Sequence, residues 1–203
     1  INEFIEEQMI NPKMKAKVNG MKAFFNNQQS FNYGAYYGLG LGGEAKITKL
    51  LHAAIGALNK QPENSRKPII LGMVSNLNQE EMESIKSKLS LLGLIEDIDF
   101  LSITDPKIIN DLNNISRNKI TMLNIGDLPP NLFDYFFSEA NIFSTVAGKN
   151  GKNLMRSLGK PFLITVDDTY SSPLLNDKLL KVKDELIYAP LNQKPTELTK
   201  FFI

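Results

Sequence analysis

Between residues 68 and 166 short apolar runs alternate with helical segments, and this alternation constrains the fold more than any other feature of the chain. Ile69-Ile70-Leu71-Gly72-Met73-Val74 is a continuous apolar run, the pattern of a parallel strand buried on both faces. A turn at 75–78 leads to a helix over 79–92, with Met82, Ile85, Leu89 and Leu92 on one face and Gly93 as its stop. The pattern then repeats. Strands are expected at 98–103, 120–125, 142–146 and 162–166. Helices are expected at 105–114, opened by Asp105-Pro106, at 132–140, and at 152–158 after a loop over 148–151. Beyond Asp167-Asp168 follow a proline-bearing loop, a helix at 174–186 and an extended tail. Strand–helix repeats of this kind predict an α/β protein with a parallel sheet and helices on both faces.

The first third of the chain reads differently. Residues 2–10 suit a short amphipathic helix ending at Asn11-Pro12. Over 12–27, Met14, Val18, Met21, Phe24 and Phe25 recur at helical spacing. The alternative for this stretch is a partly exposed arm whose apolar face meets an absent partner. Residues 30–43 form a Gly-rich loop with aromatics before it. A helix over 44–59 follows, carried by Ile47, Leu50, Leu51, Ala54, Ile55 and Leu58, and then a polar connector over 62–68. The expected organisation is a helical and Gly-rich extension over 1–67 and a Rossmann-like domain over 68–203. The chain opens on Ile1 with no basic and apolar leader, so we expect a piece of something longer, in a cytoplasmic setting.

Composition removes whole classes of chemistry. The 203 residues include no Cys and one His. Disulfides, thiolate metal sites, thiol nucleophiles and His-rich metal sites are therefore excluded, and no metal or cofactor is expected. Lys and Arg total 23 against 22 Asp and Glu, which gives no long-range attraction toward nucleic acid or an acidic membrane. No apolar run approaches the roughly 18 residues of an integral membrane segment.

Several segments could carry a site. Gly38-Leu39-Gly40-Leu41-Gly42-Gly43 satisfies G-x-G-x-x-G and precedes a helix, with Glu63 further on, as in a dinucleotide-binding turn. The residues before it, Phe31-Asn32-Tyr33-Gly34, are poor strand material, and Glu63 sits in a polar connector. The bland reading is a loop capping the helix at 44–59. A contact from backbone N–H groups to phosphate is the other alternative, opposed by Glu44 at the same helix end. Ser144 to Asn153 offers a second site. There a strand ends at Val146, and a loop with Gly148 and Gly151 enters a helix, which aims backbone N–H groups at a ligand. Lys149 and Lys152 add positive charge, and Asn150 and Asn153 can donate hydrogen bonds. The ending is not a Walker A loop, and a plain turn with solvated lysines is the alternative. Asp167 and Asp168, after the strand at 162–166, can meet sugar hydroxyls or a divalent ion, or lie in a solvent-facing loop. His52, mid-helix, is a packed imidazole or a base with Glu44 or Glu63 nearby in sequence. Tyr33, Tyr36 and Tyr37 offer a platform for a sugar or pack against the sheet.

The second half also carries a resemblance. Gly126-Asp127-Leu128-Pro129, Ala140-Asn141-Ile142, Gly148 and Leu158-Gly159-Lys160-Pro161-Phe162 resemble, over about 68–168, the donor-binding half of GT-B glycosyltransferases. The resemblance implies that residues 68–74 form the first strand of that half and that Gly148 belongs to the loop gripping the diphosphate of a nucleotide sugar. It further implies sugar transfer to an acceptor, with the N–H groups near 148–153 and Lys149 stabilising the leaving diphosphate. The general base would come from a second domain, which residues 1–67 are too short to supply. The family's ribose-binding Glu falls near Leu154, where Asn153 is the nearest substitute. The rival expectation is a non-catalytic interaction module whose first helices dock on a missing domain or partner chain.

Overall fold

A computed structural model of the chain describes residues 12–38, 43–75, 77–164 and 188–190. They form an α/β fold around one all-parallel, seven-stranded sheet, as the alternation predicts. In chain order the elements are α1 (Pro12–Asn27), β1 (Asn32–Tyr36), α2 (Gly43–Leu58), β2 (Ile69–Met73), α3 (Gln79–Leu91), β3 (Ile98–Ser102) and α4 (Ile108–Asn113). After these come β4 (Ile120–Asn124), α5 (Pro130–Glu139), β5 (Ser144–Val146), α6 (Gly148–Leu158), β6 (Phe162–Ile164) and β7 (Tyr188–Pro190). The strand order is β3-β4-β2-β1-β5-β6-β7. The chain builds to one side of β1 through β2, β3 and β4, then crosses back to place β5 on its other side.

Both faces of the sheet are covered. Ile47, Leu50, Leu51 and Ala54 of α2 and Ile85 and Leu89 of α3 pack on one face against Ile69, Leu71, Met73, Ile120 and Met122. On the other, Met21 and Phe24 of α1, Leu112 of α4, Phe136 and Phe137 of α5 and Met155 of α6 meet Ile70, Leu123, Val146 and Phe162. Alternate residues of β2 and β4 thus feed opposite cores, the period-2 rule of a doubly covered sheet. Gly72 lets α5 close in, since a Cβ there would lie 2.6 Å from the Phe136 ring.

Two expectations are corrected, and of the two readings of 12–27 the helix is the one found. Residues 32–36 are not loop but a strand, with Tyr33, Gly34, Ala35 and Tyr36 buried and every residue paired to β2. The division at 67/68 therefore falls inside one sheet, whose central strand is β1 and not the run at 68–74. Residues 12–27 are not an exposed arm: Val18, Met21 and Phe24 are buried, and Phe24 packs edge-on against Tyr33 at 4.9 Å. Lastly, 148–151 is the first turn of α6 rather than a loop before it. The start at Asp105 also shifts. Asp105 Oδ1 accepts from Lys107 N at 2.8 Å, which makes a turn before α4 opens at Ile108. The helices expected at 2–10 and 174–186 lie outside the described residues.

Candidate functional site

The strand order reverses between β1 and β5, and their parallel pairing is short. Tyr36 stands opposite Thr145, and side chains complete the rest of the seam. Asn141 Oδ1 accepts the Tyr33 amide at 2.7 Å, while the Asn141 and Ile142 amides donate to Tyr33 O. Ser144 Oγ accepts from Ala35 N at 3.1 Å. Thr145 receives Tyr37 N on both its carbonyl and its hydroxyl oxygen, each at 3.1 Å. Ser144 and Thr145 are fully buried. In open α/β sheets a ligand binds outside the carboxyl ends of the strands at such a switch point.

A crevice of about 790 Å³ occupies that place. Its floor is the chain just beyond four strand ends: Tyr37 after β1, Val74 after β2, Asp127 and Leu128 after β4, and Ala147 after β5. One wall is the start of α5, with Pro130, Phe133 and Asp134. The facing wall is the first turns of α6, with Gly148, Asn150, Gly151 and Leu154. Ala147 caps α6 without a side-chain hydrogen bond, and the first turn holds no acidic residue. The first four N–H groups of a helix have no partner within it, and they carry the positive end of its dipole. The amides of Gly148, Lys149, Asn150 and Gly151 hold those positions here. Gly148 enters the helix at φ +68°, where its Cβ position is open space. Gly151 sits over Val146, and a Cβ there would come within 3.0 Å of the valine Cβ.

Other contacts hold the rims. Gly126, at φ +68°, donates to Met73 O at 3.2 Å and so turns the chain after β4 toward Asp127. Lys17 of α1 donates to the Asp127 carbonyl oxygen. Burial pulls the Lys17 ammonium below its ordinary range, and the Asp127 charge opposes that shift. Gly38, at φ +76°, packs against Ala147.

The structure thus brings Gly148, Asn150 and Gly151 into the crevice lining, with Lys149 in the same turn and Gly38 and Gly126 at its edges. Lys152 and Asn153, one turn on, are not in the lining, and Asn153 points to solvent. Leu154 lines it instead. Gly43 opens α2, whose Glu44 pairs with Lys88 at 3.6 Å. Tyr33 is no ligand contact. Its ring is sealed among Phe24, Phe31 and Phe136, and its hydroxyl donates to Phe136 O at 3.0 Å. Burial, with Glu139 and Tyr135 adding, raises its phenol well above the ordinary range. Tyr36 is equally buried, against Phe143. His52 is half-buried in mid-α2, outside the crevice lining. Gly40, Asp167 and Asp168 lie outside the described residues.

Sequence reasoning missed Phe133 and Asp134 as site residues. Their one signal was Pro129-Pro130, which fixes where α5 begins relative to the strand end. Among the described residues no group of three His, Asp or Glu converges as a metal set, and no helix is long and apolar enough to cross a membrane. Compared with family models, curated proteins and solved structures, the chain finds no match.

Proposed function

We propose that the crevice binds a nucleotide-diphosphate sugar and that the chain acts as the donor-binding part of a glycosyltransferase. The observation that carries this reading is the bare N-terminus of α6, which opens into the crevice where the strand order reverses. Backbone amides and a helix dipole there favour a phosphate group, and Lys149 in the same turn adds charge. As a diphosphate leaves, the same amides can hold the charge that develops on it. Asp127 and Asp134 supply acceptors for sugar or ribose hydroxyls, a role that Leu154 cannot fill.

Titration of the protein with nucleoside diphosphates and nucleotide sugars tests the proposal. Binding is expected, and Lys149→Glu or Gly148→Trp should abolish it. If no nucleotide binds, the reading is wrong.

One observation favours a second reading. β1 is a buried central strand that delivers the chain toward Gly38-Leu39-Gly40-Leu41-Gly42-Gly43, and α2 opens at Gly43. Strand, glycine run and helix are the parts of a dinucleotide turn. Glu63, however, lies in an exposed turn before β2 rather than at its end, so the expected ribose carboxylate is missing there. This reading predicts NAD binding that is lost in a Gly40 substitution.

A further inference from the structure

Tyr37 is the most exposed aromatic residue among those described, at 40%, and it lines the crevice. That exposure does not come from a loose segment. The Tyr37 amide is held by Thr145, and Thr145 Oγ1 lies 3.3 Å from Tyr37 O. The ring stands edge-to-face on Phe133, with centroids 5.2 Å apart and planes at 86°. Phe133 in turn stacks on the buried Phe137 at 4.4 Å. A row of rings therefore runs from the core to the crevice and fixes the last one in place, with part of its surface uncovered.

We infer that Tyr37 is the contact for the nucleobase of the ligand. The inference rests on the diphosphate reading above and adds the ring to it. A base presents two flat apolar faces and needs hydrogen bonds only at its edge. Phe133 is in ring contact with Tyr37, and the crevice lining holds the apolar Val74, Leu128 and Pro130 beside the polar Asp127, Asp134 and Asn150. A base stacked on the Tyr37–Phe133 pair keeps its polar edge free, whereas the hydroxyls of a pyranose are better met by Asp127 and Asp134, the acceptors assigned to them above. The tyrosine also follows β1, the neighbour of β5, so the ring contact and the amides of α6 lie at adjacent strand ends. A ligand with a phosphate at one end and a planar ring at the other fits that pair, and about 790 Å³ holds both.

The test uses three probes on the full chain: inorganic pyrophosphate, nucleoside diphosphates and a hexose 1-phosphate. The native protein should bind a nucleoside diphosphate more tightly than pyrophosphate. Tyr37→Ala should weaken nucleoside diphosphate binding roughly tenfold to a hundredfold, the range of base–aromatic stacking, and leave pyrophosphate binding unchanged. Tyr37→Phe keeps the ring and should bind like the native chain. Equal native affinity for pyrophosphate and nucleoside diphosphates would overturn the base contact while leaving the anion site standing. Loss confined to the hexose phosphate would overturn it in favour of a sugar platform. If neither pyrophosphate nor any nucleotide binds, the diphosphate reading fails and the base contact falls with it.

Discussion

Gly38 and Ala147 lie in direct contact beside the crevice: a Cβ on Gly38 would stand 2.2 Å from the Ala147 Cβ and 2.9 Å from its amide nitrogen. Gly38 follows β1, and Ala147 is the N-cap of α6. The close approach of the two is what sets the α6 N-terminus against the end of the central strand. Gly38→Ala adds a backbone collision to the cost of a positive φ, about 1–2 kcal/mol for a residue with a Cβ. Gly148→Ala bears only the second cost, because its Cβ position is open. Urea denaturation should therefore show a small loss for Gly148→Ala and a clearly larger one for Gly38→Ala. Equal losses would mean that the Gly38–Ala147 contact does not constrain the fold.

The β1–β5 seam offers a second test. Ser144 is fully buried, and its hydroxyl accepts the Ala35 amide that has no ladder partner on that side. Ser144→Ala leaves a buried N–H unsatisfied, which costs about 1–3 kcal/mol. The same change at exposed Ser90 should stay within about 0.5 kcal/mol. Chemical denaturation measures both. A Ser144→Ala chain as stable as the native one would remove the side-chain seam from the account.

Two buried tyrosines on one strand should respond oppositely to loss of their hydroxyls. Tyr33 donates to Phe136 O, so Tyr33→Phe should cost about 0.5–1.5 kcal/mol at neutral pH. The Tyr36 hydroxyl is buried with no partner among the described residues, so Tyr36→Phe should stabilise by about 1 kcal/mol. Burial raises the Tyr36 phenol well above its ordinary range. Above pH about 10 the unfolded chain releases the Tyr36 proton while the native chain keeps it, so stability falls as pH rises. Each such group contributes a slope of about 1.4 kcal/mol per pH unit between its unfolded and folded values. Tyr36→Phe should flatten the alkaline limb of a stability–pH curve. An unchanged limb would mean that the phenol ionises in the native state at its ordinary pH.

These residues also explain what the sequence concealed. Asn32-Tyr33-Gly34-Ala35-Tyr36 lacks the β-branched run of β2, so local propensity argues against a strand. The strand exists because β2 and the Asn141–Thr145 segment claim its backbone groups from both sides. Gly34 is required there: a Cβ would lie 2.3 Å from Phe143 O, and the Tyr36 ring lies over the same position. The glycines of α6 misled in the same way. Gly148 and Gly151 read as loop residues, yet one enters the helix at positive φ and the other lets it sit on Val146. The continuous apolar run of β2 is buried at every residue, and Ile85 and Leu89 of α3 are buried at their helical spacing, so there the sequence was sufficient; Leu92, expected on the same face, is instead the exposed C-cap of α3. The crevice was half legible. Its α6 side lies in one contiguous segment, whereas Tyr37, Val74, Asp127 and Asp134 meet only through the strand order.

The place of α1 in the fold can be decided by the sign of one substitution. Gly20 lies in the middle of α1, where replacing glycine by alanine in an exposed helix gains about 1 kcal/mol. Here a Cβ would lie 2.0 Å from Ile103 O and 3.0 Å from its Cγ1, and Ile103 is buried just past the end of β3. Ile103 is tied to β4 through its amide, which donates to Asn124 O, and its backbone carbonyl cannot swing away as the end of a side chain can, so α1 must shift off the face it covers. Overpacking of this kind costs about 1–3 kcal/mol and more where backbone is the obstacle. Gly20→Ala should therefore destabilise, while Asn19→Ala at the neighbouring exposed position should gain a few tenths of a kcal/mol, as helix propensity alone dictates, roughly. Thermal or urea unfolding of the two variants gives the answer. A stabilised Gly20→Ala would show that α1 does not seat on the sheet in solution. Because Lys17 of the same helix donates to the Asp127 carbonyl oxygen, a displaced α1 should also weaken ligand binding in the crevice.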